Sequence, residues 1–266
     1  MAGFRQRLPT PVDIAMVAHP SVTLLIDLSE GEGVVCDSRG RHERGSVVIG
    51  LTPGDLRAGG CVGECLQIRL EPDVAAAVLD TSPDLSGTMA PLADVWGREA
   101  GRFEDRLRAA ASWDERFTIA ADVVRQRLRA RTPVEPELAH TWRRTLTSRG
   151  LVQVDSLAGE VGWDRKRLWS RFRSRLGISP KRAIRLVRFD HAAHLLAGGH
   201  TAASVAARCG YVDQSHLHRE VKAFTGLTPS VVAVAPWLAI DDVAWPASSP
   251  TRGSPATAGQ HIPTRR

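Results

Sequence analysis

The sequence predicts an α+β fold in which a small β-rich domain with trailing helices precedes an all-helical domain. The first observation is a set of short apolar runs, rich in branched side chains, within residues 13–71. The second is helical periodicity from residue 72 onward. The third is one helical unit that occurs twice between Val154 and Val231.

Five strands are expected in the β-rich part. Clusters of turn-forming residues separate them, such as Ser-Glu-Gly-Glu-Gly at 29–33 and Thr-Pro-Gly-Asp at 52–55. Several short strands joined by tight turns favour a small barrel or sandwich. The predicted strands cover residues 14–18, 22–28, 34–36, 47–51 and 65–70.

Three helices are predicted to trail the strands. Pro72 opens the first, at residues 73–79, because proline is tolerated in a first helical turn. Two longer helices are expected at residues 95–111 and 114–130. The last of these has one apolar face, which we interpret as a bridge between the two halves and as a candidate dimer surface. That face consists of Phe117, Ala120, Ala121, Val124 and Leu128.

Residues 131–136 are predicted to link the two halves, because Pro133 and Pro136 break helices and limit flexibility. The helix that follows, at residues 137–148, places Leu138, Trp142 and Leu146 at i, i+4 and i+8. We expect this stripe to pack beneath the first copy of the repeated unit.

The repeated unit recurs at an interval of 49 residues. Counted from Asp164 and from Asp213, both copies place apolar residues at +4 and +8, a glycine at +13 and a proline at +16. Chance rarely matches so many positions, so the two copies are expected to share one structure.

Each copy predicts a short helix, a turn and a second helix, which together form a helix-turn-helix. Gly162 and Gly210 are expected to end the short helices in the left-handed conformation, with an aromatic residue after each filling the core. Asp164 and Asp213 are expected to cap the helices that follow. The buried stripes of the short helices are Val154, Leu157, Ala158 and Val161 in one copy and Ala202, Val205, Ala206 and Cys209 in the other.

The second helix of each copy carries polar and basic side chains on its outward face. Such side chains reach base edges and phosphates of double-stranded DNA. Trp169 lies beside the apolar stripe, where it either contacts a groove or packs across the motif. The residues predicted to contact DNA are Arg165, Lys166, Trp169, Ser170 and Arg173 in the first copy, and Gln214, Ser215, His216 and Arg219 in the second.

A set of motif residues in the two copies carries a family resemblance. They are Gly-Ile-Ser-Pro at 177–180, Cys-Gly-Tyr at 209–211, Asp-Gln-Ser-His-Leu at 213–217 and Thr-Pro at 228–229. With them, residues 137–236 resemble the DNA-binding domain of AraC-type transcription regulators. Two positions depart from the family pattern, since Ser170 stands where Arg is usual and Val221 where Phe is usual. The neighbouring Arg171 can cover a phosphate in place of the missing arginine.

The resemblance implies seven helices in this domain, with one long helix at residues 180–196 joining two recognition helices. Both recognition helices would enter successive major grooves, about 34 Å apart. By analogy it also implies that the β-rich part is a cupin-like sensor for a small-molecule effector. The implied protein partners are a second copy of the chain and, for an activator, RNA polymerase.

Charge is concentrated where the repeat lies. Residues 151–236 contain 13 Lys and Arg against 6 Asp and Glu, a balance of +7, whereas the whole chain carries +6. The remainder of the chain therefore sums to −1. This distribution is the expected footprint of phosphate binding.

We expect a sensor domain at residues 1–131, with strands in 13–71 and helices in 72–131, a DNA-binding domain at 132–236 and a tail at 237–266. Pro, Ser, Thr, Ala and Gly dominate the tail, which predicts disorder from residue 248. No apolar stretch has the length of a signal-peptide core or a membrane span. The chain is therefore expected to be a soluble, cytoplasmic bacterial protein with no membrane partner. Four cysteines do not make a disulfide framework in a chain of this size, so the thiols are expected to be reduced.

Two groups of side chains suggest sharper alternatives. His191 and His194, with Asp190 and His200 nearby, can be read as metal ligands, but a polar helix face is the favoured interpretation, so no metal or cofactor is expected. Cys61 and Cys65 would share one face of a β segment, either as buried small side chains or as a thiol pair that senses oxidants or a metal. Cys209 is expected to be a core residue.

No enzyme motif competes with the DNA-binding interpretation, and no catalytic residue is predicted. A DNA-repair alkyltransferase would need a four-cysteine zinc site near the N-terminus, where this chain has only Cys36, Cys61 and Cys65. An architectural DNA-binding protein without an effector is the other alternative, and it would have a fully packed β domain instead of a ligand-sized cavity. The sequence therefore predicts a sequence-specific transcription regulator that responds to an effector.

Overall fold

The computed structural model describes residues 1–5, 12–15, 17–29, 34–36, 42–51, 56–60, 64–79, 89–130, 134–235 and 238. The strands are β1 (Ala2–Arg5), β2 (Val12–Ala15), β3 (Val22–Asp27), β4 (Val34–Cys36), β5 (His42–Arg44), β6 (Val47–Ile49), β7 (Arg57–Gly60), β8 (Glu64–Leu70) and β9 (Met89–Pro91). The helices of the N-terminal half are α1 (Pro72–Leu79), α2 (Leu92–Trp96), α3 (Arg98–Ala109) and α4 (Trp113–Arg129). Those of the C-terminal half are α5 (Pro136–Thr147), α6 (Val154–Glu160), α7 (Arg165–Leu176), α8 (Pro180–Ala197), α9 (Ala202–Arg208), α10 (Gln214–Thr225) and α11 (Pro229–Ala233).

The strands form two antiparallel sheets, one with the order β1-β8-β3-β6-β9 and one with the order β2-β7-β4-β5. Alternation along β3 places Leu24 and Ile26 in the core shared with the helices, and Leu25 in a second cluster. That cluster joins Val35 of the smaller sheet to Val47 of the larger one. The larger sheet thus lies between the smaller sheet and the helices, and the β-rich prediction is confirmed.

All five predicted strands are present, one (β4) with its predicted bounds and four with shifted ends, and four further strands were not predicted. The unpredicted strands are β1, β5, β7 and β9. β5 consists of His-Glu-Arg and β7 of Arg-Ala-Gly-Gly, neither of which alternates apolar and polar side chains. Both pair with β4, so neighbouring strands, and not their own side chains, make them strands.

The prediction of one helix at residues 95–111 was wrong, because two helices occupy this region. Gly97, with a φ of 58°, separates α2 from α3. The other two trailing helices are present as α1 and α4, close to their predicted bounds.

The apolar face of α4 is covered within the chain. Ala120 and Val124 are buried, and α4 packs against α1 and α3. Arg127 of α4 donates from Nε to the carbonyl oxygen of Val78 at 2.9 Å, and its Cζ lies 4.3 Å from the centroid of the Trp96 ring. The face that the sequence suggested for a dimer therefore has an internal role.

Residues 134–235 contain seven helices, as expected, and the connecting helix α8 lies among them in contact with α5, α7, α9, α10 and α11. Leu138 and Trp142 of α5 are fully buried, and α5 packs on α6 as predicted. Three predictions lie outside the described residues: the core of the linker at 131–133, the position of Cys61, and the disorder of the tail.

The two halves of the chain share one continuous hydrophobic core. Helix α1 packs against α5 and α7. His19, just before β3, places Nε2 3.5 Å from Oδ1 of Asp190 on α8. The N-terminal half therefore contacts both the first copy of the repeat and the connecting helix.

Candidate nucleic-acid interface

Helix α7 is the second helix of the first copy, and its start is capped as the sequence predicts. The Asp164 carboxylate accepts a hydrogen bond from the amide of Arg167 at 2.6 Å. Leu168, Phe172 and Leu176 are buried. At the other end Gly177 adopts a left-handed φ of 69°. One stripe of α7 is thus buried in the core, and most of its other residues are exposed.

Helix α10 repeats this construction in the second copy. The Asp213 carboxylate accepts from the amide of His216 at 2.6 Å, and Leu217, Val221 and Phe224 are buried. The short helices α6 and α9 end before Gly162 and Gly210, whose φ values are 65° and 67°. The predicted helix-turn-helix geometry is therefore present twice, with the same caps and turns.

The first copy exposes all five of its predicted contact residues. The Trp169 side chain is 54% exposed, so it does not pack across the motif. Arg165 forms an ion pair with Asp155 at 2.9 Å, and Arg173 donates from Nη1 to the Gly177 carbonyl oxygen at 3.4 Å. Lys166 and Ser170 are exposed on the same helix.

An open groove of about 380 Å³ runs beside α7. It is lined by Lys166, Arg167, Ser170 and Arg171, together with the capping Asp164. Arg167 also stacks over the Trp163 ring at 4.7 Å, which holds its guanidinium close to the helix start. Three cations against one carboxylate make this groove suited to an anion.

In the second copy, three of the four predicted residues are exposed: Gln214, Ser215 and Arg219. His216 is half-buried instead, because its ring meets the Tyr211 ring edge-on at 5.3 Å. Its Nδ1 also accepts from the Val212 amide at a long 3.5 Å. Part of the role of His216 is therefore structural.

Two residues that were not among the predicted contacts also lie at these surfaces, His218 and Arg167. His218 is exposed on α10, next to Arg219, and Arg167 lines the groove beside α7. The signal that finds His218 is helical spacing, since His218 lies three residues after Ser215 and four before Lys222.

His191 and His194 of α8 are the residues that the sequence offered as metal ligands. Nδ1 of His194 donates to the backbone carbonyl of Asp190 at 2.8 Å. Across the described part of the chain, no group of three or more His, Cys, Asp or Glu side chains is placed to hold a metal ion. The same residues include no helix that is both long enough and apolar enough to span a membrane.

Residues 157–233 match the family described as a helix-turn-helix domain. That range spans both copies of the repeated unit. Residues 157–233 form an AraC-type helix-turn-helix domain. The AraC-type domain thus includes α7 and α10 with their exposed faces.

Solved structures similar to the chain include ToxT from Vibrio cholerae O395, at 10% identity and a TM-score of 0.48, over 88% of this chain and 96% of that one. Another is ToxT from Vibrio cholerae strain SCE256 bound to an unsaturated fatty acid, at 12% identity and a TM-score of 0.47, over 88% and 93%. The C-terminal domain of AraT, a response regulator from Geobacillus stearothermophilus, is similar at 21% identity and a TM-score of 0.36, over 38% and 87%. A comparison with curated proteins finds no match.

Proposed function

We propose that this protein is a sequence-specific transcription regulator that binds double-stranded DNA with both recognition helices, α7 and α10. One observation carries the proposal: two helices with the same caps and turns present exposed polar and basic faces on either side of one connecting helix. The 18 residues of α8 correspond to a length of about 27 Å. This length supports two recognition helices that lie about one turn of DNA apart, roughly 34 Å.

The exposed side chains suggest that some residues contact phosphates and others contact bases. Lys166 and Arg173 on α7 and Arg219 on α10 would bind phosphates or guanines, which sets the register of the domain. Gln214 matches the donor and acceptor pattern of adenine, and the Trp169 indole can contact a thymine methyl group. Arg165, Ser170, Ser215 and His216 complete the proposed set, and His218 joins it on the basis of its exposure.

The N-terminal half is proposed to receive a small-molecule effector, and the AraC-type domain to transmit its effect to DNA in the cytoplasm of a bacterial cell. Support comes from the shared core and from the packing of α1 against α7. A change in this interface would alter the position of the first recognition helix. An effector can shift that equilibrium only by its difference in affinity between the two arrangements.

A selection from genomic fragments with the purified full-length protein tests the proposal. We expect enriched sites with two specified segments spaced about one helical turn apart. Affinity for an enriched site should exceed affinity for random DNA by at least about 1000-fold at physiological salt. Salt-sensitive binding without any enriched sequence would instead indicate an architectural protein that uses phosphate contacts alone.

Variants of the two helices show whether both of them read DNA. Lys166→Ala and Arg219→Ala should each weaken binding by about 1–3 kcal/mol, with changes confined to different segments of the site where the residue meets a base. Arg102→Ala, which removes an exposed arginine from α3 in the N-terminal half, is the charge-matched control. Equal losses in all three variants would argue against a specific surface.

A further inference from the structure

Glu135 lies at the junction between the linker and the DNA-binding half, and its carboxylate meets the first recognition helix. Its Oε1 lies 3.3 Å from Nε of Arg171, and its Oε2 lies 3.9 Å from Nε of Arg175. The two arginines are one helical turn apart, so a single carboxylate bridges both. Only 28% of the Glu135 side chain is exposed, whereas about half of each arginine side chain is exposed.

The backbone around Glu135 holds the carboxylate in place. Pro136 follows directly and favours the extended conformation that Glu135 adopts, with φ −51° and ψ 133°. The Glu135 carbonyl oxygen accepts from the amides of Leu138 and Ala139, which anchors the residue to α5. Although Glu135 occupies the N-cap position, its side chain makes no capping hydrogen bond. Its carboxylate is directed at the arginines instead.

Arg171 contacts Glu135 and also lines the open groove beside α7. Lys166, Arg167 and Ser170 line the same groove. The groove is the anion-suited part of the first recognition helix, and a guanidinium binds carboxylate and phosphate oxygens with the same geometry. Glu135 is therefore paired with Arg171, a cation at the edge of the surface where a DNA phosphate would bind.

We propose that Glu135 is an internal phosphate mimic that holds Arg171 and Arg175 in the absence of DNA and competes with a backbone phosphate for them. Docking of α7 on the duplex would exchange the carboxylate for a phosphate and leave Glu135 close to the negative backbone. Glu135 thus lowers DNA affinity at the first recognition helix. This inference rests on the proposed function, because it needs DNA to bind this helix.

Glu135→Gln keeps the shape of the side chain and removes its charge. We expect its affinity for a fixed DNA site to rise about 3- to 10-fold at low salt, in line with the strength of exposed ion pairs at low ionic strength. The slope of log K against log salt should steepen by about one to two units, since each added phosphate contact contributes about −0.9. A general stabilisation of the fold would not change this slope.

Glu160→Gln is the matched control, because it removes the same charge from a comparable ion-pair cluster. Glu160 pairs with His140 at 3.0 Å and Arg144 at 3.2 Å and is 30% exposed, close to the value for Glu135. It lies on α6, and its partners are on α5. We expect its DNA affinity to change less than 2-fold and its salt slope to stay as in the wild type.

Arg171→Ala, made in both backgrounds, tests the exchange itself. If Glu135 competes for this arginine, removing Arg171 should cost more DNA affinity in the Glu135→Gln background than in the wild type. Glu135→Ser, which places a favourable N-cap residue at the start of α5, provides a second charge-free variant whose folding is secure. Thermal unfolding scans establish that each variant is folded.

The outcomes separate this proposal from the proposed function. Equal affinity and equal salt slope for Glu135→Gln, Glu135→Ser and Glu160→Gln would overturn the phosphate-mimic role, while specific binding by the wild type would leave the regulator intact. A wild-type protein that binds no DNA would overturn both.

Discussion

Arg188 on the connecting helix donates from Nη2 to Oε1 of Glu220 on the second recognition helix, at 3.2 Å. Arg185, one turn earlier, reaches the other oxygen of the same carboxylate with Nε at 2.8 Å. Glu220 is only 3% exposed, so these two arginines compensate for the burial of its carboxylate. Arg188 also lies over the Tyr211 ring at 4.8 Å, which ties the turn of the second copy to α8. The orientation of α10 is therefore set by a buried carboxylate.

Glu220→Gln should destabilise the protein by about 2 kcal/mol. The expected loss is smaller than the 3–5 kcal/mol typical of a broken fully buried pair, because Arg185 can turn to solvent. Urea unfolding measures the loss of stability in Glu220→Gln and in Glu160→Gln, which is the exposed comparison. For Glu160→Gln we expect the free energy of unfolding to change by less than about 1 kcal/mol. Similar losses for the two variants would show that Glu220 does not orient α10 through its charge.

Trp169→Ala should weaken DNA binding by about 1–3 kcal/mol and leave the free energy of unfolding within about 0.5 kcal/mol of the wild type. The reason is that the indole is 54% exposed on α7 and contributes little to the core. Trp163→Ala is the informative contrast, since Trp163 is buried beneath the first turn and should cost about 3–5 kcal/mol of stability. A destabilised but normally binding Trp169→Ala variant would contradict the contact role.

The C-terminal half could be predicted closely because its determinants are local. Caps such as Asp164 and Asp213 bond within three residues, and the stripes that contain Phe172 and Leu217 recur with the period of a single helix. The second copy of the repeat showed the same caps and apolar positions, which supported the prediction for the first copy. Helix ends and burial therefore followed from residues close together in sequence.

The features that the sequence did not predict depend on residues far apart. Strands β5 and β7 exist because β4 pairs with both. Glu135 meets Arg171 across 36 positions, and His19 meets Asp190 from the other half of the chain. No local pattern encodes such partners, so the links between the two halves became visible only in the fold.

Cys65 should resist modification in the native protein. It is buried on β8, and burial together with the nearby Asp27 carboxylate raises the pKa of its thiol well above the usual range. Cys209 is buried too, and burial raises the pKa of its thiol as well. Brief alkylation followed by peptide mass mapping should leave both residues unmodified until denaturant is added. Rapid native labelling of Cys65 would revive the thiol-sensing alternative, in which Cys61 is its partner.

His19 should make the stability of the protein depend on pH. Burial lowers the pKa of this histidine well below its ordinary value, and the charge of Arg69, with that of His194 when it is protonated, lowers it further. Its Nδ1 lies 2.7 Å from Ser21 Oγ, and its Nε2 faces Asp190. The folded protein therefore keeps His19 neutral at pH values where the unfolded chain already protonates it.

The sign of the effect follows from this difference. Above about pH 6.5, His19 is neutral in both states and costs nothing. As pH falls below that value, the unfolded state binds the extra proton, so the free energy of unfolding decreases by at most about 1.4 kcal/mol per pH unit for this group. The loss continues until the pH reaches the lowered pKa of the folded state.

Urea unfolding at pH 7.5 and pH 5.5 checks the prediction, with His19→Asn as the test variant. Asn can keep the hydrogen bond to Ser21 but cannot take up a proton, so the variant should lose less stability on acidification than the wild type. Some loss should remain, because burial also lowers the pKa of His191, with Arg149 contributing. His218→Asn removes an exposed histidine from α10 and should follow the wild type. An identical pH response in wild type and His19→Asn would mean that the contact between His19 and Asp190 tolerates a proton, and that acid does not loosen the junction between the two halves.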